Sequence, residues 1–237
     1  MSSRIVFLAL AVCLAGLTAE PMPVIPASEI VARMEAADAA RLRAFPGYTG
    51  KRSYLVQNTR FGVNATMNVE ITVDQEGRKD FKVLESKGPG AVKKMVFQRM
   101  LDTEKKASST ITDQKATRIS TLNYNFELLE TVQMENGRST YVLAAKPRIE
   151  SQLLFEGKVW IDATDFAVVK IEGTPAKSPS FWVKKTRFVH QYKKVGGYWV
   201  AASNHSENDI RMFGTSTTHI DYTGYQISGP PQVVGQP

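Results

Sequence analysis

The chain has 237 residues, with 30 Lys or Arg against 23 Asp or Glu and a formal net charge of +7. Its one cysteine, Cys13, excludes an internal disulfide and any multi-thiolate metal site, while the length suffices for one large all-β or α+β domain with its own core. The modest positive charge favours anionic surfaces such as phospholipid headgroups.

Residues 1–4 form a short basic start and 5–17 an unbroken run of apolar or small residues. Thr18-Ala19 then supplies small residues for cleavage before Glu20-Pro21. The run falls short of the roughly 20 residues that span a bilayer. The expectation is a signal peptide over 1–19, cleaved after Ala19, and a periplasmic protein with no stable membrane span. Export also sets nucleic acid aside as a partner. A retained anchor and a lipid-modified Cys13 are the alternatives, and the bulky Val12 fits the second poorly.

Pro21, Pro23 and Pro26 predict an extended spacer over 20–27. Ser28 reads as the N-cap of a helix over 29–44, with Ile30, Met34, Ala37 and Phe45 along one stripe and Pro46-Gly47 as its stop. Residues 61–74 alternate without a miss. Phe61, Val63, Ala65, Met67, Val69, Ile71 and Val73 are apolar and their neighbours small or polar, which predicts a long antiparallel strand. Gln75-Glu76-Gly77 turns it into a partner strand over 78–85.

Gly88-Pro89-Gly90 breaks the sheet, and a second helix is predicted over 91–106. Val92, Met95, Val96, Phe97, Met100 and Leu101 give it an apolar arc wider than a surface helix needs; Lys93, Lys94, Arg99, Lys105 and Lys106 form the polar side. Seven strands follow, over 124–133, 139–145, 157–162, 167–172, 182–195, 198–210 and 215–227. Their turns are read at Glu135-Asn136-Gly137, Ala163-Thr164-Asp165 and Gly196-Gly197. Short connections between alternating strands imply antiparallel pairing. Without a repeat or a linker, 28–228 reads as one domain with a loose tail over 229–237.

The sequence holds no GxSxG, HExxH, P-loop or GxGxxG pattern. His205, Glu207 and Asp209 share one strand face and have the chemistry of a divalent-cation site. Ser203 and Arg211 continue that polar row, so a solvated sheet face accounts for it. Asp162 and Asp165 resemble an acid/base pair but sit across a turn, where aspartate is favoured for local hydrogen bonds. Asn64-Ala65-Thr66 matches a glycosylation sequon that a polar strand face explains equally. Lys184-Lys185 and Lys193-Lys194 read as solvated strand edges. No catalytic residue, metal or cofactor is expected.

What remains is apolar. Met34, Met67, Met95, Met100, Met134 and Met212 fall inside predicted elements, and methionine fills irregular space. A sheet with one apolar face and two helices to cover it gives either a packed core or a greasy cavity suited to an acyl chain. The candidate cavity residues are Val63, Met67, Val69, Ile71, Val92, Val96, Met100 and Trp160.

Residues 155–162 (FEGKVWID) and 166–173 (FAVVKIEG) resemble the outer-membrane lipoprotein-sorting family of exported bacterial proteins, which includes periplasmic lipoprotein carriers and sigma-factor regulators. The order of elements fits too: helix, long hairpin, central helix, a strand over 141–147, this hairpin, and the Gly196-Gly197-Tyr198-Trp199 turn. The resemblance covers about 28–228. It implies a mainly β (α+β) fold, a curved antiparallel sheet forming an unclosed β-barrel covered by two to three helices. It also implies a non-enzymatic role, holding lipid or lipoprotein acyl chains. An arginine that holds the helical lid shut, as in the dedicated carriers, is matched to no particular residue. An envelope regulatory module of the same fold with a filled core, working on envelope proteins through its surface, is the alternative.

Overall fold

The computed structural model describes residues 25–133, 137–178 and 180–229. The leader over 1–19, spacer residues 20–24, Met134, the first two residues of the 135–137 turn and the tail beyond 229 lie outside that set. The strands are β1 (Tyr48–Asn58), β2 (Val63–Val73), β3 (Lys79–Lys87), β4 (Tyr124–Gln133), β5 (Ser139–Pro147), β6 (Phe155–Asp162), β7 (Val168–Pro175), β8 (Val183–Val195), β9 (Tyr198–Ile210) and β10 (Gly214–Ile227). They form one antiparallel sheet in the order β3-β2-β1-β10-β9-β8-β7-β6-β5-β4. β3 and β4 are its two edges and do not meet, so the sheet is an unclosed barrel.

Period-two alternation sets the inner face. On β2, Ala65, Met67, Val69, Ile71 and Val73 are all buried. Close approach of β6 and β7 is bought with glycine: a Cβ on Gly157 would lie 2.0 Å from the Glu172 carbonyl oxygen. The β8–β9 turn uses Gly196 and Gly197 at φ of 56° and 87°, the left-handed pair a tight hairpin requires.

Helix α1 (Ala27–Arg43) lays Ile30, Val31 and Met34 on the inner face against Tyr124, Tyr141, Leu143, Val159 and Ile161. The remaining helical elements are α2 (Gly90–Val92), a π-helical segment (Lys93–Gln98), α3 (Arg99–Ala107) and α4 (Ile111–Thr117). The run over 90–107 sets Phe97 and Leu101 on a second cluster of Tyr54, Val56, Ala65, Met67, Val69, Ile220 and Tyr222. The inner face therefore carries two hydrophobic clusters, each under its own helix. Full burial of a side chain the size of Phe97 or Leu101 contributes roughly 1.5–3 kcal/mol.

Several expectations are corrected. Helix α1 begins one residue before Ser28, and the N-cap position is Pro26, whose carbonyl accepts from the Glu29 and Ile30 amides at 3.0 and 3.1 Å. The second helix is not uniformly α, and Met95 points outward at 58% exposure. Lys184-Lys185 and Lys193-Lys194 lie on β8, an interior strand, not at an edge. β1 and α4 answer to no predicted element. On β1 the inward positions include Gly50, Arg52 and Asn58, which break the apolar alternation. α4 buries no residue and so has no stripe; Thr110 caps it by accepting from the Asp113 amide at 3.1 Å.

Candidate functional site

The alternation of β1 turns Arg52 inward beside Tyr54 and Val56, leaving it 3% exposed. On the helical run, Phe97, Leu101 and Glu104 follow one another at i, i+4 and i+7. The stripe that packs on the second cluster thus ends in a carboxylate facing the sheet. Arg52 meets it in a bidentate pair: Nη1 donates to Glu104 Oε2 at 2.6 Å and Nη2 to Oε1 at 3.0 Å. Lys79 Nζ, from β3, donates to the same Oε1 at 2.7 Å. The guanidinium also lies 4.8 Å from the Tyr222 ring centroid and 5.2 Å from that of Phe81. Two cations on one carboxylate thus tie the covering helix to β1 and β3.

Burial pushes the Glu104 carboxyl up, but Lys79 and Arg52 outweigh it and hold it down at about 2. Burial lowers the Arg52 guanidinium, and the Glu104 carboxylate more than reverses that, so the net direction is up. Both groups are charged across the physiological range.

Between the two clusters stands His190. Its ring stacks on Tyr192, which packs against the first cluster, at 4.7 Å between centroids. It also stacks on Tyr222, a member of the second, at 5.9 Å. Asn204 Nδ2 lies 3.3 Å from His190 Nδ1, within reach of a hydrogen bond between the amide and the imidazole. Among the described residues, His190 Nε2 and Arg52 Nε are buried with no hydrogen-bond partner. Burial drives the imidazole down to about 4, with lesser contributions from Glu104 upward and from Lys79 and Arg52 downward. Burial likewise pushes the Tyr192 phenol up to about 12.

The structure brings together most of the cavity candidates. Met67 and Val69 belong to the second cluster, and Val92, Val96 and Met100 pack against it half-buried. Ile71 is buried on the same strand face, and Val63 is half-buried at the start of β2. Trp160 is not among them. It alternates with the inward Val159 and Ile161, stands beside Val142 on β5, and carries Lys170 Nζ 4.2 Å from its ring centroid on the outer face.

His205, Glu207 and Asp209 are exposed on the outer face of β9. His205 and Glu207 border an open groove of about 370 Å³ with Gly157, Gly173, Arg187 and Phe188; Asp209 does not line it. Among the described residues no group of three or more His, Cys, Asp or Glu is placed to hold a metal ion. Asp162 is buried and occupied locally, accepting from the amides of Thr164 at 3.0 Å and Asp165 at 2.7 Å and from Arg138 Nη2 at 2.8 Å. Asp165 accepts from Trp199 Nε1 at 2.9 Å and Lys194 Nζ at 2.8 Å. Both aspartates are structural parts of the β6–β7 turn.

Sequence reasoning missed Arg52, Glu104 and His190 as site residues. Glu104 carried a signal, because it continues the Phe97–Leu101 stripe by one more turn. Arg52 carried one too, as the charged member of an otherwise apolar inward row.

Among solved structures with a similar arrangement of the chain is a LolA superfamily protein from Nitrosomonas europaea, 10% identical, covering 90% of this chain and 99% of that one, TM-score 0.44. A DUF1329 family protein from Desulfovibrio piger is 13% identical over 90% of this chain and 96% of its own, TM-score 0.46. A domain assigned to outer membrane lipoprotein sorting from Vibrio parahaemolyticus is 13% identical over 88% and 93%, TM-score 0.44. These neighbours include the lipoprotein-sorting family that the sequence resembles. No curated protein matches the sequence. A family model matches residues 67–226, the span from β2 through β10, and the chain belongs to that family, the family of unknown function DUF5686.

Proposed function

We propose that this is a non-enzymatic extracytoplasmic protein that binds lipid or lipoprotein acyl chains between the inner face of its sheet and the helical run over 90–107, in outer-membrane lipoprotein sorting. On this reading the leader is removed after Ala19. The way the run is fastened supports the reading. Phe97 and Leu101 are its two buried apolar anchors, Val92, Val96 and Met100 rest half-buried, and the firmest tie is the polar contact of Glu104 with Arg52 and Lys79. A cover held by a latch at one end can lift from an apolar floor without unfolding the sheet. The π-helical segment lies in the middle of that cover, and such segments recur at functional sites.

The second reading is an envelope regulatory module with a filled core, and the complete burial of Met67, Val69 and Ile71 favours it. Val69→Phe and Val96→Phe decide between the two. In a site that admits an acyl chain, the added ring fills ligand space. Both variants then lose uptake of a fluorescent fatty acid that the wild type binds, at nearly unchanged melting temperature. In a filled core the wild type takes up no probe, and each variant is destabilised by roughly 1–3 kcal/mol through overpacking.

A further inference from the structure

Three connections at one rim of the sheet carry apolar side chains that the fold does not bury. Phe61 in the β1–β2 turn is 55% exposed; Met212 and Phe213 in the β9–β10 turn are 74% and 49% exposed. Phe181 and Trp182, in the β7–β8 loop, are 73% and 52% exposed. Single exposed apolar residues are ordinary, but these five lie on neighbouring connections of one rim. The Phe61 and Phe213 rings lie 5.4 Å apart, and Asn58 Nδ2 donates to the Phe213 carbonyl at 2.9 Å. The Arg211 amide donates to the Trp182 carbonyl at 2.7 Å, which joins the third connection to the other two.

Met212 bears most directly on what this rim is for. Its φ is 65°, in the left-handed region where glycine is the unstrained choice, and the Phe213 amide closes the turn on the Ile210 carbonyl at 3.1 Å. A long apolar side chain, 74% exposed, is thus held outward on a backbone that disfavours any side chain. Strain kept at an exposed tip points to use of that tip.

Cations surround the apolar tip. Arg211 lies over the Phe181 ring at 4.7 Å and Arg60 over the Phe61 ring at 5.8 Å. Lys184 and Lys185 open β8 just behind the loop, both exposed, with Asp209 opposite Lys185 as the neighbouring acid. Aromatic rings flanked by arginine and lysine suit the boundary of an anionic bilayer, where rings sit at headgroup depth and cations meet phosphate. We propose that this rim docks the protein on an anionic phospholipid surface. The five apolar side chains enter the headgroup region, and Arg60 and Arg211 contact phosphates. Docking here is separate from any acyl chain held under the helices at the inner face.

Sedimentation with vesicles tests it, using purified proteins that all share one N-terminus. The wild type should sediment with vesicles of phosphatidylcholine and phosphatidylglycerol in equal parts, weakly with phosphatidylcholine alone, and less as salt is raised. Met212→Gly and the double variant Phe181→Ser/Trp182→Ser should each weaken partition roughly tenfold. Met212→Gly should meanwhile match or exceed the wild-type urea midpoint, which separates docking from folding. Equal sedimentation of wild type and variants overturns the proposal. So does the absence of sedimentation with anionic vesicles, which assigns the rim to a protein partner.

Discussion

His190 sits where a neutral imidazole fits and a charged one is penalised. It is stacked between Tyr192 and Tyr222, its Nδ1 faces Asn204, and its Nε2 is buried with no partner among the described residues. Its pKa is lowered from 6.5 to about 4, chiefly by burial. The unfolded chain therefore binds this proton more readily than the folded one. Stability from this group is complete above pH 6.5 and is lost as pH falls toward 4. Glu104, held at about 2 against an ordinary 4.5, adds a second loss that begins only below pH 4.5. The two windows hardly overlap, so the residues can be told apart. Urea midpoints at pH 7 and pH 5 should show the wild type losing on the order of 1–2 kcal/mol over that interval. His190→Phe keeps a stacking ring and removes the titrating group, so its midpoint should barely move. An equal pH slope in both proteins would mean that the imidazole is not shielded from water.

Strand pairs are where glycine placement decides the outcome. Gly157 and Gly173 face each other across β6 and β7 with no room for a side chain. Gly90 at the start of α2 meets nothing within 4 Å. Alanine should therefore act with opposite sign at two glycines. Gly157→Ala must force the strands apart and should cost 2 kcal/mol or more, an estimate of about the size of an overpacked core site. Gly90→Ala should stabilise by up to about 1 kcal/mol through helix propensity. Chemical denaturation of both variants is sufficient to check the pair.

The same elements mark how far the sequence could be read. β2 was legible because every inward residue is apolar; Phe61 and Gly62 fall just outside it, in the turn. The later strands were legible to within three residues because alternation and turn residues agree. β1 was hidden because its inward row includes an arginine, an asparagine and a glycine, so the period is there but hydrophobicity does not report it. The candidate site was half legible for the same reason. Its apolar floor and cover follow from periodicity, whereas the Arg52–Glu104 contact joins two distant segments and depends on how they are folded together. Trp160, named with the cavity candidates, stands apart from them because it alternates along β6 with the inward Val159 and Ile161.

At the scale of the molecule, the order of strands departs from a simple meander at one place. β1 pairs with β2 on one side and with β10 on the other, aligning Tyr54 with Ile220 and Asn58 with Ser216. Every other neighbouring pair in the sheet is consecutive along the chain. Eight of the nine strand pairings can therefore zip locally, and a single closure joins the β1–β3 ribbon to the rest. Closing so long a loop carries an entropic penalty that nearby contacts do not share, and long-range pairings form late. β10 is also the last described strand to leave the ribosome. Until it arrives, Tyr54 and Val56 lack the Ile220 and Tyr222 side of their cluster, and Arg52 lacks the Tyr222 ring. Pulse-labelled hydrogen exchange during refolding should show β1 amides that face β10 gaining protection together with β10 and after β4–β7. During synthesis the nascent chain would then carry a greasy, half-paired ribbon until β10 emerges, a species for a holdase chaperone to shield until that strand seats.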